Sequence, residues 1–153
     1  MSKEELKAYL EITFPTCKFN DTIDFPVLIV EKEFLFATAL QLKEDKATQF
    51  DFLFCQTAVD YLTRFEVVYH LTSTIFRHDL VVKVILEDRE NPEVESVYPL
   101  WNAAELYENE IFDLFGIRFS DHPNLRRIML GAEWPGYPLR KDYTDVNILT
   151  PQS

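Results

Sequence analysis

Two alternating stretches constrain this chain more than any other feature. Phe65, Val67, Tyr69 and Leu71 alternate with Glu66, Val68, His70 and Thr72. After a seven-residue connection, Leu80, Val82, Val84 and Leu86 alternate with Val81, Lys83, Ile85 and Glu87. A period of two sends each set to one face of an extended chain, so the pair reads as an antiparallel hairpin with one face in a core.

Helical spacing surrounds this hairpin. Ser2 followed by Glu5 reads as a capping box, and Leu6, Tyr9, Leu10 and Thr13 share one helical face up to about Phe14, where Pro15 stops the helix. Val27 to Val30 is a short β-branched run that reads as a strand, and Glu33 to Leu42 returns to a helical period. Phe50 to Leu62 carries apolar residues at both periods, which leaves a helix and a strand equally open there. From Leu100 to Phe115 a helical wheel gathers Leu100, Ala103, Ala104, Tyr107, Ile111, Leu114 and Phe115 on one stripe, ended by Gly116. The expected fold is α+β: a small, mainly antiparallel or mixed sheet covered by helices over residues 1–117, then an extended C-terminal arm over residues 118–153.

Charge and composition separate the same two parts. Met1 to Ile117 holds 10 Lys or Arg against 22 Asp or Glu, whereas Arg118 to Lys141 holds five against two. Gly116, Gly131 and Gly136 are the only glycines, and Pro123, Pro135, Pro138 and Pro151 are half of the prolines, so the last quarter should be loop-like. The overall charge of −11 repels phosphate backbones and anionic lipid headgroups, which points to protein partners and away from nucleic acid. No apolar run is long enough to span a bilayer, and the first residues lack an Arg-rich presequence, so a soluble, unprocessed bacterial chain is expected. Cys17 and Cys55 stand apart and read as buried apolar fillers in a reducing compartment.

The common catalytic sets are missing from the sequence. His70, His78 and His122 form no helical pair, there is no HExxH or CxxC spacing, and two cysteines cannot hold a four-thiolate cluster. Neither a GxGxxG nor a GxxxxGK loop occurs. Glu105, Glu108, Glu110 and Asp113 are the dense carboxylate group, but the wheel sets Glu108 at about 80° and Glu110 at about 280° from Leu100, at opposite edges of the apolar stripe. They read as flanks of a packed helix that can pair with an arm or a partner. The cations come from Arg118, Arg126, Arg127, Arg140 and Lys141, interleaved with Leu125, Ile128, Met129, Trp134, Tyr137 and Leu139. Guanidinium groups among aromatic anchors suit a docking segment.

Two runs carry a resemblance. Glu108-Asn109-Glu110-Ile111-Phe112-Asp113-Leu114-Phe115-Gly116, continued by His122, Pro123, Arg126 and Arg127, resembles the signature of the complex I C-subunit family, also known as the 30 kDa subunit family. Gly136-Tyr137-Pro138-Leu139-Arg140-Lys141-Asp142-Tyr143 is similar to the later stretch of that family. Asn109 stands where the family usually has Arg. The wheel puts it at about 180°, opposite the stripe, so it reads as a surface adjustment of about 0.3 to 0.5 kcal/mol.

The resemblance implies a cofactor-free structural subunit in the peripheral arm of NADH:quinone oxidoreductase. Flavin, iron-sulfur clusters and quinone are then expected in partner subunits, with the quinone-site and cluster-bearing subunits as neighbours. It also implies association with the cytoplasmic side of the bacterial inner membrane only through the complex. The equivalent subunit of a membrane-bound hydrogenase, or of a quinone oxidoreductase fed by another donor, is the alternative. A free-standing adaptor and an acid-base enzyme using Glu108 or Asp113 with His122 rank below both.

Overall fold

A computed structural model describes residues 1–22 and 24–145, with the side chain of Asp21 excepted. Ser2 caps helix α1 (Lys3–Thr13): its hydroxyl accepts the Glu5 N–H, and the Glu5 carboxylate accepts the Ser2 N–H at 2.8 Å. Leu6 and Leu10, one turn apart, are the buried side of this helix. Strands β1 (Lys18–Asp21) and β2 (Pro26–Val30) follow. The helical period at Glu33 begins as a tight 3-10 turn over Lys32–Phe34 and becomes α-helical in α2 (Leu35–Glu44).

The ambiguous stretch is strand β3 (Phe52–Asp60). A register shift between Leu53 and Cys55 interrupts its pairing with β4 (Phe65–Thr72), and the extra residue breaks the alternation that would otherwise have marked it as a strand. β4 pairs antiparallel with β5 (Asp79–Leu86), as the alternation predicts, with Phe65 opposite Leu86 and Leu71 opposite Leu80. β2 joins β5 in parallel, so the five-stranded sheet runs β1-β2-β5-β4-β3 and is mixed.

The sheet face bearing Phe65, Val67, Tyr69, Leu71, Leu80, Val82 and Val84 packs into the main core with Leu6, Leu10, Leu35, Leu42 and Ile111. The opposite face is not purely polar. Val27, Val68 and Val81 form a small second cluster packed by Phe25, Ile29 and Val59. Cys17 and Cys55 are free and half-buried, so neither is sealed as expected. Burial still raises the Cys17 thiol above its usual range.

Strand β6 (Glu93–Glu95) leads to helix α3 (Ala104–Phe115), which begins four residues after Leu100. Leu100 and Trp101 instead lie in tight turns bonded back to the Val97 carbonyl. Ala104 is fully buried but Ala103 is exposed, so only one of the two alanines of the expected apolar stripe packs into the core. The expected boundary at 117/118 also shifts. Arg118–Ser120 is strand β7, paired in parallel with β6, and irregular chain begins only at Asp121. The last part of the expected arm, residues 146–153, lies outside the described residues.

Candidate functional site

Helix α3 is covered on two sides, by β3 on one and by the irregular segment from Asp121 on the other. The second contact is made by side chains of the family-like motif. Asn109 and Asp113, one turn apart, present oxygens to a segment whose own backbone forms no regular ladder, so each unpaired N–H needs a partner. Asn109 Oδ1 accepts the Arg126 N–H at 3.0 Å. Asp113 Oδ2 accepts three consecutive N–H groups, from Ile128 at 3.1 Å, Met129 at 2.7 Å and Leu130 at 3.0 Å. Burial would raise the Asp113 carboxyl, but these three donors and Arg127 outweigh it and hold the group below the usual carboxylate range.

The same segment satisfies the end of α3. The last four carbonyls of a helix have no intrahelical partner. Here the Gly116 N–H reaches Phe112 O at 2.9 Å, Arg127 Nη1 reaches Asp113 O at 3.1 Å, the Leu139 N–H reaches Leu114 O at 3.0 Å, and Arg140 Nε reaches Phe115 O at 2.6 Å. Two of these donors are guanidinium groups at the negative end of the helix dipole. Gly116 turns the chain with φ +72°, and its open side holds the Tyr137 ring, which lies 2.5 Å from where a β-carbon would stand. Arg127 and Arg140 both stack on that ring, at 4.9 and 5.0 Å.

A third fastening is at Asp60, at the end of β3. Its carboxylate receives Arg89 through Nη1 at 2.5 Å and Nη2 at 3.1 Å, the Lys141 N–H at 2.9 Å and the Leu62 N–H at 2.7 Å. Burial opposes ionisation, yet the Arg89 bonds and the two N–H donors bring the carboxyl down to about 2. Arg89 also reaches Asp142 at 3.4 Å, and both Arg89 and Arg140 lie over the Phe65 ring.

Glu108 points elsewhere, into the interior. Its Oε2 lies 2.5 Å from Ser96 Oγ, and its Oε1 accepts the Val97 N–H at 2.9 Å. His122 Nε2 approaches to 3.9 Å, with both side chains fully enclosed. Burial raises the Glu108 carboxyl to about 7, against the lowering effect of Ser96, Val97 and Gln56.

Several expectations change here. Glu108 is not an edge residue, and Asn109 is not a surface one: it is 1% exposed, because the arm covers the helix face turned away from the sheet. The arm, read from its cations and aromatic anchors as a segment that docks mainly on partner subunits, is held in this chain by acceptors on α3 and β3. Glu108 and His122 do come together, but sealed from substrate, while Asp113 is saturated by backbone donors. An acid-base site on these residues is therefore not supported.

Glu110 is half-buried outside this set of acceptors, Pro123 is exposed, and the side chains of Arg126 and Lys141 point outward. Asp60, Arg89 and Ser96 were missed by sequence reasoning. Asp60 left a faint signal, as an Asp ending a strand before a turn, where its Oδ1 takes the Leu62 N–H. Arg89 and Ser96 left none.

The family profile described as "Respiratory-chain NADH dehydrogenase, 30 Kd subunit" matches residues 28–147. The NADH-quinone oxidoreductase C subunit of Moorella thermoacetica is 43% identical over 136 residues, covering 88% of this chain and 90% of that protein. That of Roseiflexus castenholzii is 45% identical over 116 residues, 74% of this chain and 66% of its own length. The NADH-quinone oxidoreductase C/D subunit of Phocaeicola vulgatus is 42% identical over 117 residues, which are 76% of this chain and 22% of that longer protein. The fold is similar to a chain in the solved structure of the membrane-bound sulfane sulfur reductase, an archaeal respiratory membrane complex. The TM-score is 0.79 over 95% of this chain and 88% of that one, at 23% identity.

Proposed function

The chain belongs to the 30 kDa subunit family of respiratory-chain NADH dehydrogenase, and from that premise we propose that it serves as a cofactor-free, non-catalytic framework subunit. In this reading the complex carries electrons from NADH through flavin and iron-sulfur centres to quinone and couples this to proton translocation. The chain holds neighbouring subunits in register and takes no part in the chemistry. One observation carries the reading. The arm is clamped to α3 and β3 on its inner side, while Ile128, Met129, Trp134 and Leu139 are left exposed on it. An apolar ridge on a rigid support suits a protein interface, because little chain entropy remains to be lost on docking.

The relatives whose C and D portions form one polypeptide favour a D-type subunit as a direct neighbour. Among the described residues, no helix is long and apolar enough to cross a membrane, and no three His, Cys, Asp or Glu side chains gather as a metal site. In the proposed reading the chain attaches to the cytoplasmic side of the inner membrane through the complex, and partner subunits hold the clusters and quinone. The equivalent subunit of another membrane complex, such as a hydrogenase-type assembly, is the second reading, and the fold shared with a chain of an archaeal respiratory membrane complex is compatible with it.

Native purification of the tagged chain from membranes tests the proposal. Co-purification with a D-type subunit and a flavin- and NADH-binding subunit is expected. A nickel-site companion would instead support the hydrogenase reading. Recovery of the chain alone, or with one unrelated client, would overturn both.

A further inference from the structure

Glu108 occupies a buried pocket lined by polar groups from α3, the 96–98 turn, β3, β4 and the arm root. From α3 its carboxyl meets the 96–98 turn, where the Val97 N–H donates to Oε1 and the Ser96 O–H donates to Oε2 at 2.5 Å. Ser96 Oγ also accepts the Tyr98 N–H at 3.1 Å. From β3 the Gln56 amide faces the carboxyl without completing a hydrogen bond of ordinary geometry, and from β4 the buried Tyr69 hydroxyl is likewise unpartnered. The remaining neighbour is His122, at the root of the arm.

Among the described residues, His122 is the one group of this pocket able to carry positive charge, and its ring is already committed. Nδ1 accepts the Asn124 N–H at 3.0 Å and so bears no proton, which leaves the proton on Nε2, donated to the Glu105 carbonyl at 3.0 Å. The imidazole is thus neutral, and its N–H is used by the helix backbone. Tyr69 is neutral as well, its phenol pushed well above the ordinary value by burial and by the neighbouring carboxyl. An ionised Glu108 would be a fully buried charge with no counter-charge, a state that proteins avoid by taking up a proton.

We propose that Glu108 holds a proton in the folded protein below neutral pH and so acts as a pH-sensitive lock between the 96–98 turn, α3 and the arm root at His122. The Ser96 hydroxyl is used both ways, donating to Glu108 Oε2 and accepting the Tyr98 N–H. Loss of the proton leaves a buried charge with no counter-charge, which favours admitting solvent. The elements that must part for this are the 96–98 turn and the 122–124 turn. Rising pH through neutral therefore loosens the arm where it leaves the sheet, and acidic pH holds it shut. The position of Glu108 above the usual carboxylate range, at about 7, agrees with this accounting.

Infrared spectroscopy of the full chain and of Glu108→Gln tests the proton directly. At about pH 6, where exposed carboxyls are ionised, the wild type should keep the carbonyl band of one protonated carboxylic acid, which the variant lacks. The band should fade as pH passes through neutral, and hydrogen exchange at residues 96–98 and 122–126, corrected for its intrinsic pH dependence, should accelerate over the same range in the wild type only. Should the variant fail to fold, the side-chain carboxyl carbon resonances of the wild type decide the matter. A glutamate titrating near neutrality supports the lock. Absence of the band at about pH 6, or a wild type whose glutamates all titrate in the ordinary range, overturns it.

Discussion

The Asp113 carboxylate accepts the Met129 N–H at 2.7 Å across 16 residues of sequence, and the same oxygen takes the two flanking N–H groups. This one side chain gives irregular chain the hydrogen bonds that a strand would otherwise supply. Asp113→Ala should leave those partly buried donors without their acceptor and cost about 1 to 3 kcal/mol, the range for donors that lose a charged acceptor. Limited proteolysis should then cut between Arg126 and Lys141 far faster than in the wild type, while far-ultraviolet circular dichroism still reports the sheet.

Asp60 and Glu108 should shape the stability curve from opposite sides. Asp60 is depressed to about 2 in the fold, so its contribution is present above its unfolded value of about 3.9 and is lost as pH falls toward 2. Glu108 is raised from 4.5 to about 7, so the folded state binds more protons than the unfolded chain between those values. Stability therefore falls as pH rises across that window, by about 3 kcal/mol in all. Urea midpoints measured from about pH 2 to 9 should peak near pH 4 to 5, with Asp60→Asn flattening the acid limb and Glu108→Gln the other.

Arg126 and Arg140 should behave differently although both belong to the family-like motif. Arg140 bonds the Phe115 carbonyl and stacks on Phe65 and Tyr137, so Arg140→Ala should destabilise the isolated chain by about 1 to 3 kcal/mol. Arg126 uses only its backbone N–H within the clasp, and its side chain is exposed. Arg126→Ala should change isolated stability by less than about 0.5 kcal/mol, yet lower the yield of assembled complex. Equal yields for wild type and Arg126→Ala would remove this side chain from the interface.

Gly116 and Tyr137 form a lock of shape. Gly116→Ala places a β-carbon 2.5 Å from Tyr137 Cε2 at φ +72°, so it should cost about 1 to 3 kcal/mol from the backbone alone, plus the displacement of the ring. In the Tyr137→Ala background the steric part disappears, and a double-mutant cycle should return a coupling of about 0.5 to 3 kcal/mol.

Ala103 and Ala104 separate surface from core within one turn. Ala104→Leu should overpack the fully buried site and destabilise by about 1 to 3 kcal/mol, whereas Ala103→Leu, exposed, should leave the denaturation midpoint nearly unchanged.

Local spacing determined much of this protein. The Ser2 cap, the β4–β5 alternation, the α3 period and its stop at Gly116 all depend on residues within a few positions of one another, and each is present in the fold. The motif around Glu108 and Asp113 was also legible, as a pattern belonging to a family. What it does was decided only in three dimensions. A helical wheel assumes one buried side, and α3 has two, because the arm returns over the face turned away from the sheet. Asn109 therefore reads as surface in the sequence and is buried in the molecule. Asp60 and Lys141 are separated by 81 residues, and no periodicity links them. Their contact exists because the β3–β4 turn and the arm at Lys141 meet at one corner, where an unpaired N–H finds a buried carboxylate that can still accept it.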